Sequence, residues 1–307
     1  MIDKSYVLIS PVRNEEGTIE ITIQSVLAQR ILPREWVIVS DGSTDRTDDI
    51  VRRYASEHRF IEILPVGKRD ERNFASVVFA LRAGYLALKC QSYNYLGLLD
   101  GDVRLPSDYY EQIMLRLDGD PRLGMAGGVA LDVGTKYQRP RNLVDVPGAV
   151  QFFTRECFQS LGDLIPVPEG GWDAVTCAQA RMRGYQTRLF PELIVDHLKP
   201  RNVFLGNDLR RRWQMGMRDY ALGYHPIFEL FKCLSRFTRE RPWGVGAGAW
   251  YMGYLASAFS GKPCLLPPDL KRFIRREQMF RLLAGLRPHL DVAPPLPSRG
   301  EHARSAR

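Results

Sequence analysis

The stretch LGLLDGDVRLP, Leu96 to Pro106, decides how this chain is read. It continues the apolar run begun at Tyr95 and reads as a buried strand, then ends in Asp100 and Asp102 with only Gly101 between them. Two carboxylates one residue apart at a strand end can jointly hold a hard divalent cation, which readily keeps phosphate oxygens as further ligands. Without a metal, the same pair would repel a diphosphate. The competing explanation is an Asp-Gly turn in which Asp102 caps the next segment.

Outward from this run the first half of the chain alternates short apolar stretches with helical patterns. Tyr6–Ser10, Trp36–Ser40, Ile61–Pro65 and Tyr95–Leu99 have the length and apolar character of strands. Thr18–Ala28, Asp45–Ala55 and Phe74–Leu88 between them carry helical periodicity, with Ile19, Ile23, Val26 and Leu27 on one face of the first. Strand and helix in this alternation predict an α/β fold whose mainly parallel sheet is joined by crossover helices. Beyond Asp102 the pattern predicts a helix from Pro106–Asp108 to Leu117, a strand at Gly124–Leu131, a helix from Trp172 to Arg183 and a short strand at Ile194–Val195 before His197. No internal repeat is visible.

The chain has 307 residues with a net charge of +8, unevenly spread. Lys199 to Arg307 holds 20 Lys/Arg against 8 Asp/Glu, a balance of +12, and the residues before it balance at −4. A basic C-terminal third suits nucleic acid, an anionic membrane surface or a phosphorylated partner. This part reads as helices near Val203–Leu222 and Ile227–Arg236 and an uncharged run from Trp243 to Ser260. That run is short for a membrane span and rich in glycine, so a buried or interfacial helix pair is expected there. The expected division is a catalytic domain over 1–200, a helical basic extension over 201–290 and a disordered tail over 291–307. MIDKSYVLISPV carries no basic region followed by a long apolar run, so no signal peptide is expected. The five cysteines form no CxxC pair and fit a reducing cytoplasm rather than a disulfide framework.

In open parallel sheets, ligands sit outside the carboxyl ends of the strands. Those ends carry polar clusters here: Pro11-Val12-Arg13-Asn14-Glu15-Glu16, Ser40-Asp41-Gly42-Ser43-Thr44-Asp45 and Asp100-Gly101-Asp102. A later loop, Glu169-Gly170-Gly171-Trp172-Asp173, enters a helix. Each alone is a weak signal, since an aspartate at a strand end is usually a turn or helix cap. No GxGxxG follows the first strand, which argues against a dinucleotide oxidoreductase. A metal-dependent sugar nucleotidyltransferase and a nucleic-acid-binding protein are the alternatives kept open, although no helix-turn-helix, zinc-finger or RNP-like motif supports the second.

SPVRNEEGTI, VIVSDGSTDRT, YLGLLDGDVRLPSDY and GGWDAVTCAQARMRGYQTRLFPELIVDH, in that order, resemble the signature blocks of family-2 glycosyltransferases with the GT-A fold. The resemblance covers roughly the first 200 residues. The part after Lys199 is similar, less specifically, to the helical extensions of bacterial polysaccharide-assembly enzymes. It implies a GT-A-like α/β fold with a helical C-terminal extension, and an inverting enzyme that moves one sugar from a nucleotide diphosphate sugar, with UDP favoured, to a glycan or polyprenyl-diphosphate-linked acceptor. By the same resemblance, Pro11, Arg13, Asn14, Glu15, Asp41 and Asp100 bind the nucleotide, Asp102 and His197 bind Mn2+ or Mg2+, and Asp173 is the general base. Cell-surface polysaccharide synthesis in the cytoplasm, at the inner face of the cell membrane and without nucleic acid, is the expected setting. The basic clusters Arg210–Arg212 and Lys271–Arg276 flank Trp250, Tyr251, Tyr254 and Phe259, a composition suited to an anionic leaflet. Three departures stand out. Trp172 replaces the glutamate that commonly precedes the family base. Ser40-Asp41 replaces an Asp-Asp doublet. Leu209-Arg210-Arg211-Arg212-Trp213 has leucine where processive relatives carry the glutamine of QxxRW, which favours addition of a single sugar.

Overall fold

The computed structural model describes residues 4–67, 74–140, 142–200, 208–237, 244–261 and 264–286. The expected tail from 291 and the segment 203–207 lie outside the described residues. Two compact units emerge, one of 4–166 with 172–200 and the other of 167–171 with 208–286 among the described residues.

The first unit is a mixed sheet covered by helices. The strands are β1 (Tyr6–Val12), β2 (Glu35–Asp41), β3 (Ile61–Val66), β4 (Tyr95–Leu99), β5 (Val103–Arg104), β6 (Leu123–Asp132), β7 (Val150–Thr154) and β8 (Gln186–His197). The helices are α1 (Ile19–Leu27), α2 (Thr47–Glu57), α3 (Ala75–Ala87), α4 (Tyr109–Gly119), α5 (Arg155–Ser160) and α6 (Trp172–Met182). Spatial strand order is β3-β2-β1-β4-β7-β6-β8-β5. Strands β3, β2, β1 and β4 run parallel, as do β6 and β8. Strand β7 enters antiparallel between β4 and β6, and β5 pairs antiparallel with β8.

The parallel half forms because its strands are apolar on both faces. Tyr6 and Leu8 pack into one core layer with Ile38, Tyr109 and Phe152, while Val7 and Ile9 pack into the other with Val39, Leu81 and Phe153. Both faces are therefore covered by helices, as a parallel sheet requires. The chain winds from β1 to β3 in one direction, then returns to place β4 on the other side of β1. The reversal leaves the carboxyl ends of β1 and β4 side by side, the position where such sheets open a crevice.

Strand β8 is longer than the sequence suggests. Its residues pair in register with β6 on both sides of an irregularity between Gly128 and Val129. Pro191-Glu192 hides that continuity in the sequence. Strand β7 was not expected at all, because VQFFT is short and follows a proline-containing loop.

The second unit holds α7 (Asp208–Ala221), α8 (Pro226–Arg236), α9 (Val245–Phe259) and α10 (Pro268–Leu286). Within the run Trp243–Ser260, Val245–Phe259 form one helix, not the expected pair, and Trp243 lies outside the described residues. Its glycines serve a close crossing rather than a break. A Cβ at Gly253 would stand 2.2 Å from the Trp213 carbonyl oxygen, and one at Gly216 would stand 1.9 Å from that of Trp250. Backbone contact at that distance admits only glycine. Trp250 and Tyr254 face inward, contrary to the membrane-facing role expected of them, and of that aromatic set only Phe259 stands well out. No helix among the described residues is long and apolar enough to cross a membrane.

Candidate functional site

Loops from β1, β2, β4 and β8 meet at the carboxyl edge of the sheet. The β1 loop is shaped by Asn14, which takes a left-handed φ of 55°. The Asn14 Oδ1 accepts from the Thr44 amide (2.8 Å), and its own amide donates to Ser43 Oγ (3.3 Å). The next two amides continue the clamp, Glu15 to Thr47 Oγ1 (2.7 Å) and Glu16 to Asp45 Oδ2 (3.1 Å). Asn14 thus fixes one loop against another, and it does not line the cleft beside them. Burial pushes the Asp45 carboxyl up, but hydrogen bonds from Thr47 and from the amides of Glu16 and Asp45 itself outweigh that and hold it below the usual carboxylate value.

Pro11, Arg13, Glu15, Asp41, Asp100, Asp102 and His197 line one cleft, so seven of the nine sequence-predicted residues come together. Asp41 is buried at the end of β2, with its carboxylate 3.6 Å from the Arg13 guanidinium. Gly101 is explained by what surrounds it: a Cβ there would stand 2.7 Å from Val12 Cγ1 and 3.4 Å from Glu15 Cγ. Its carbonyl accepts from Thr22 Oγ1 (2.9 Å), and Thr22 Oγ1 in turn accepts from the Val103 amide (3.1 Å). The turn between the two aspartates is therefore anchored to α1. The Asp-Gly turn and the paired carboxylates are one feature, not alternatives.

Asp100, Asp102 and His197 each offer a ligand atom within 4.8 Å of the others. His197 ends β8, where it pairs with Val103 on one side and Asp132 on the other. Its Nδ1 lies 2.5 Å from the Lys199 carbonyl oxygen and 3.4 Å from Asp132 Oδ1. A carbonyl only accepts, so this contact puts a proton on Nδ1 and leaves Nε2 facing Asp102, where it can carry a second proton or bind a cation. Nε2 stands 3.5 Å from Asp102 Oδ1. Two acceptors facing each other at that separation call for a proton or a cation between them. Burial pushes the Asp102 carboxyl above its ordinary value, with Glu15 adding to the rise and His197 and Lys199 opposing it. Two carboxylates and an oriented imidazole are a donor set that Mn2+ or Mg2+ fits.

Asp173 lies elsewhere. It opens α6 after Gly170 and Gly171, which both take φ near 90° (90° and 88°), a conformation cheap only for glycine. It lines a second cleft of about 470 Å³ with Lys136, Gln138, Asn142 and Asp145 from the β6–β7 connection. Two consecutive residues tie it to the first cleft. The Gly148 amide donates to Asp173 Oδ2 (3.2 Å), and the Ala149 carbonyl accepts from the Asp100 amide (3.1 Å). Gln151 reinforces this connection from 0 % exposure, its Nε2 donating to the carbonyls of Val146 (3.0 Å) and Asp173 (3.2 Å).

Sequence reasoning missed several participants. Ser76, Val77 and Ala80 of α3 line the first cleft, and nothing marks them within an apolar helix. Lys199 ion-pairs with Glu15 (2.5 Å) and donates to the Asn14 carbonyl (3.1 Å), pinning the β1 loop to the end of β8. Asp132 ends a strand just as Asp41 does, a signal that could have found it.

A mixed α/β sheet with polar clusters gathered at its carboxyl edge is the architecture of GT-A enzymes. Residues 7–178 match glycosyl transferase family 2, and the chain belongs to that family. Among curated proteins it is 26% identical over 214 residues to a poly-beta-1,6-N-acetyl-D-glucosamine synthase of Staphylococcus aureus, and 24% identical over 221 residues to one of Staphylococcus epidermidis. These alignments cover 70% and 69% of the chain but 46% of each relative, so the chain spans about half the length of the curated relatives it matches. Among solved structures, a mannosyltransferase from Pyrobaculum calidifontis in complex with GDP-Man and Mn2+ superposes with a TM-score of 0.53 at 20% identity, covering 92% of this chain and 81% of that one. Residues 1–349 of TarS from S. aureus, in complex with UDP-GlcNAc, superpose with a TM-score of 0.52 at 12% identity, covering 84% and 73%. These likenesses establish the GT-A fold.

Proposed function

We propose that this protein is a metal-dependent, inverting glycosyltransferase that moves one sugar from a nucleotide diphosphate sugar, UDP-linked by preference, to a hydroxyl of a glycan or polyprenyl-diphosphate-linked glycan. The setting is cell-surface polysaccharide synthesis at the inner face of the cell membrane, in keeping with the polysaccharide synthases among its relatives. The observation that carries the reading is the meeting of Arg13, Asp41, Asp100, Asp102 and His197, from four separate strand ends, on one cleft.

Each residue has a task in this reaction. Asp41 accepts a hydrogen bond from the nucleobase, and Arg13 orients it. Pro11 and Glu15 wall the nucleotide, while Asn14 holds their loop in shape. Asp100, Asp102 and His197 would hold Mn2+ or Mg2+, which would supply positive charge to neutralise the negative charge gathering on the leaving diphosphate. Asp173 takes the proton from the acceptor hydroxyl as its oxygen bonds to the anomeric carbon and the carbon–diphosphate bond breaks. Attack from the face opposite the leaving group inverts that carbon. The Gly148–Ala149 backbone sets the spacing between base and metal carboxylates, so both ends of the reaction share one rigid reference.

The test is Asp173→Asn, which keeps size and loses basicity. Donor affinity should stay within about twofold, while transfer should fall by roughly 10²–10⁴, the usual worth of a general base. Near-normal transfer by this variant would remove Asp173 from the mechanism and leave Glu169 as the next candidate.

A further inference from the structure

Helix α8 is inside out. Its charged and polar residues Glu229, Lys232, Cys233 and Arg236 turn inward, and Glu229 is 0 % exposed. Lys232 pairs with Glu229 (2.6 Å) and with Asp219, which also accepts from Trp250 Nε1 (2.6 Å). Arg236 stacks 4.5 Å from the centre of the Trp250 ring. The opposite face carries Ile227, Leu230, Phe231, Leu234 and Phe237, all exposed, with Leu234 at 56%. At 100° per residue these five fall within an arc of about 120°. A helix on a water-soluble surface shows the reverse pattern.

Helix α9 repeats the arrangement. It carries no charged residue, and its outward stripe is Val245, Met252 and Phe259, the last 86% exposed. The chain end of α8 bonds to the start of α9, the Gly244 amide donating to the Phe237 carbonyl (2.9 Å). Of the nineteen exposed large hydrophobics among the described residues, twelve belong to this smaller unit. An apolar surface this concentrated marks a contact site.

We infer that the outward faces of α8 and α9 form an in-plane docking surface for an anionic phospholipid bilayer. Charge selects this occupant. The C-terminal third balances at +12, α9 has no acid, and the one acid of α8 is buried beneath the helix. A second copy of the chain would bring two segments of the same net positive charge together, whereas anionic headgroups would attract that charge. Geometry selects the mode. The helices have 11 and 15 residues, roughly 17 and 22 Å long, short of the ~30 Å hydrocarbon core, so they lie along the interface and do not cross it. The inference stands on α8 and α9 alone, and under the proposed function it would hold the enzyme at the membrane that carries a lipid-linked acceptor.

The experiment is flotation of the full chain with vesicles of phosphatidylcholine containing or lacking about one third phosphatidylglycerol, at low and high salt. Wild-type protein should float with the anionic vesicles at low salt, and salt should weaken but not abolish this. Phe231→Glu/Leu234→Glu should lower partitioning at least tenfold, with unchanged circular dichroism and an unchanged rate of donor hydrolysis in solution. A wild-type protein that stays in the lysate-free supernatant with anionic vesicles at low salt overturns the inference. So does a double variant that floats like wild type, or a wild-type dimer that the double variant dissociates, since the face would then be a protein interface. Loss of donor hydrolysis in Asp102→Ala with flotation intact would separate this surface from the catalytic reading.

Discussion

Gly148→Ala offers a sharp test of how the base is held. A Cβ at this position would stand 2.8 Å from Trp172 Cζ2 and 3.3 Å from Asp173 Cβ. Carbon atoms pack at about 3.5–4.0 Å, so the first contact is short by about 0.7 Å. Trp172 is a stiff ring, only 8% exposed, and has little room to retreat. Gly148 does not have a positive φ, so the added methyl acts through contact and not through backbone strain. Either the start of α6 or the 146–151 segment must shift by most of that 0.7 Å, stretching the 3.2 Å hydrogen bond to Asp173. Overpacking of this kind costs about 1–3 kcal/mol of stability. A displacement approaching 1 Å at a reacting group costs up to about 10²-fold in rate. The variant should therefore transfer sugar roughly 10–100-fold more slowly, about 1.4–2.7 kcal/mol on the barrier. Donor KM should move less than kcat, because Asp41 and Arg13 lie in the other cleft and the shift reaches it through the Ala149–Asp100 hydrogen bond. Initial-rate transfer kinetics, donor titration with Mn2+ and a thermal melt measure the three quantities. A folded variant with wild-type kcat, or one whose loss lies wholly in donor KM, would refute the proposed coupling of Gly148 to Asp173.

Asp41→Ala should raise donor KM more than it lowers kcat, because nucleobase contacts bind ground and transition states about equally; steady-state kinetics over a range of donor concentrations decides this. The depressed Asp45 carboxyl gives a pH prediction. A carboxyl whose folded pKa lies below its unfolded value contributes stability above the ordinary carboxylate range near ~3.9 and loses it as pH falls through the folded value. Acid should therefore loosen the clamp between the 11–16 and 41–47 loops, and Asp45→Asn should flatten that part of the stability–pH curve measured by thermal melts.

The parallel half of the sheet was legible because its strands are continuous apolar runs and its crossover helices are strongly periodic. Tyr95–Leu99 matches β4 residue for residue. The polar ends of β1, β2 and β4 were legible for the same reason, since parallel topology fixes which ends share an edge. The antiparallel additions were not. VQFFT gains its strand identity only from pairing with β4 and β6, and two-residue β5 exists only against β8. Asp173 was picked out by the family resemblance of its GGWD block, but the separate cleft it lines depends on the β6–β7 connection, which has no periodic pattern. Trp243–Ser260 misled because glycines were read as a break and aromatics as an exposed belt. The close crossing of α7 and α9 needs those glycines and buries two of the aromatics. The apolar positions of α8 were visible in sequence, but which face turned outward was set by the buried Asp219–Lys232–Glu229 network.

The most direct test of the account is release of nucleoside diphosphate from a panel of nucleotide sugars, with Mn2+ or Mg2+ and with chelator, for wild type and Asp102→Ala. The account predicts that at least one nucleotide sugar loses its sugar, that chelator stops this, and that metal does not restore it in Asp102→Ala. Release that persists in chelator, or an Asp102→Ala variant that turns over like wild type, would contradict it.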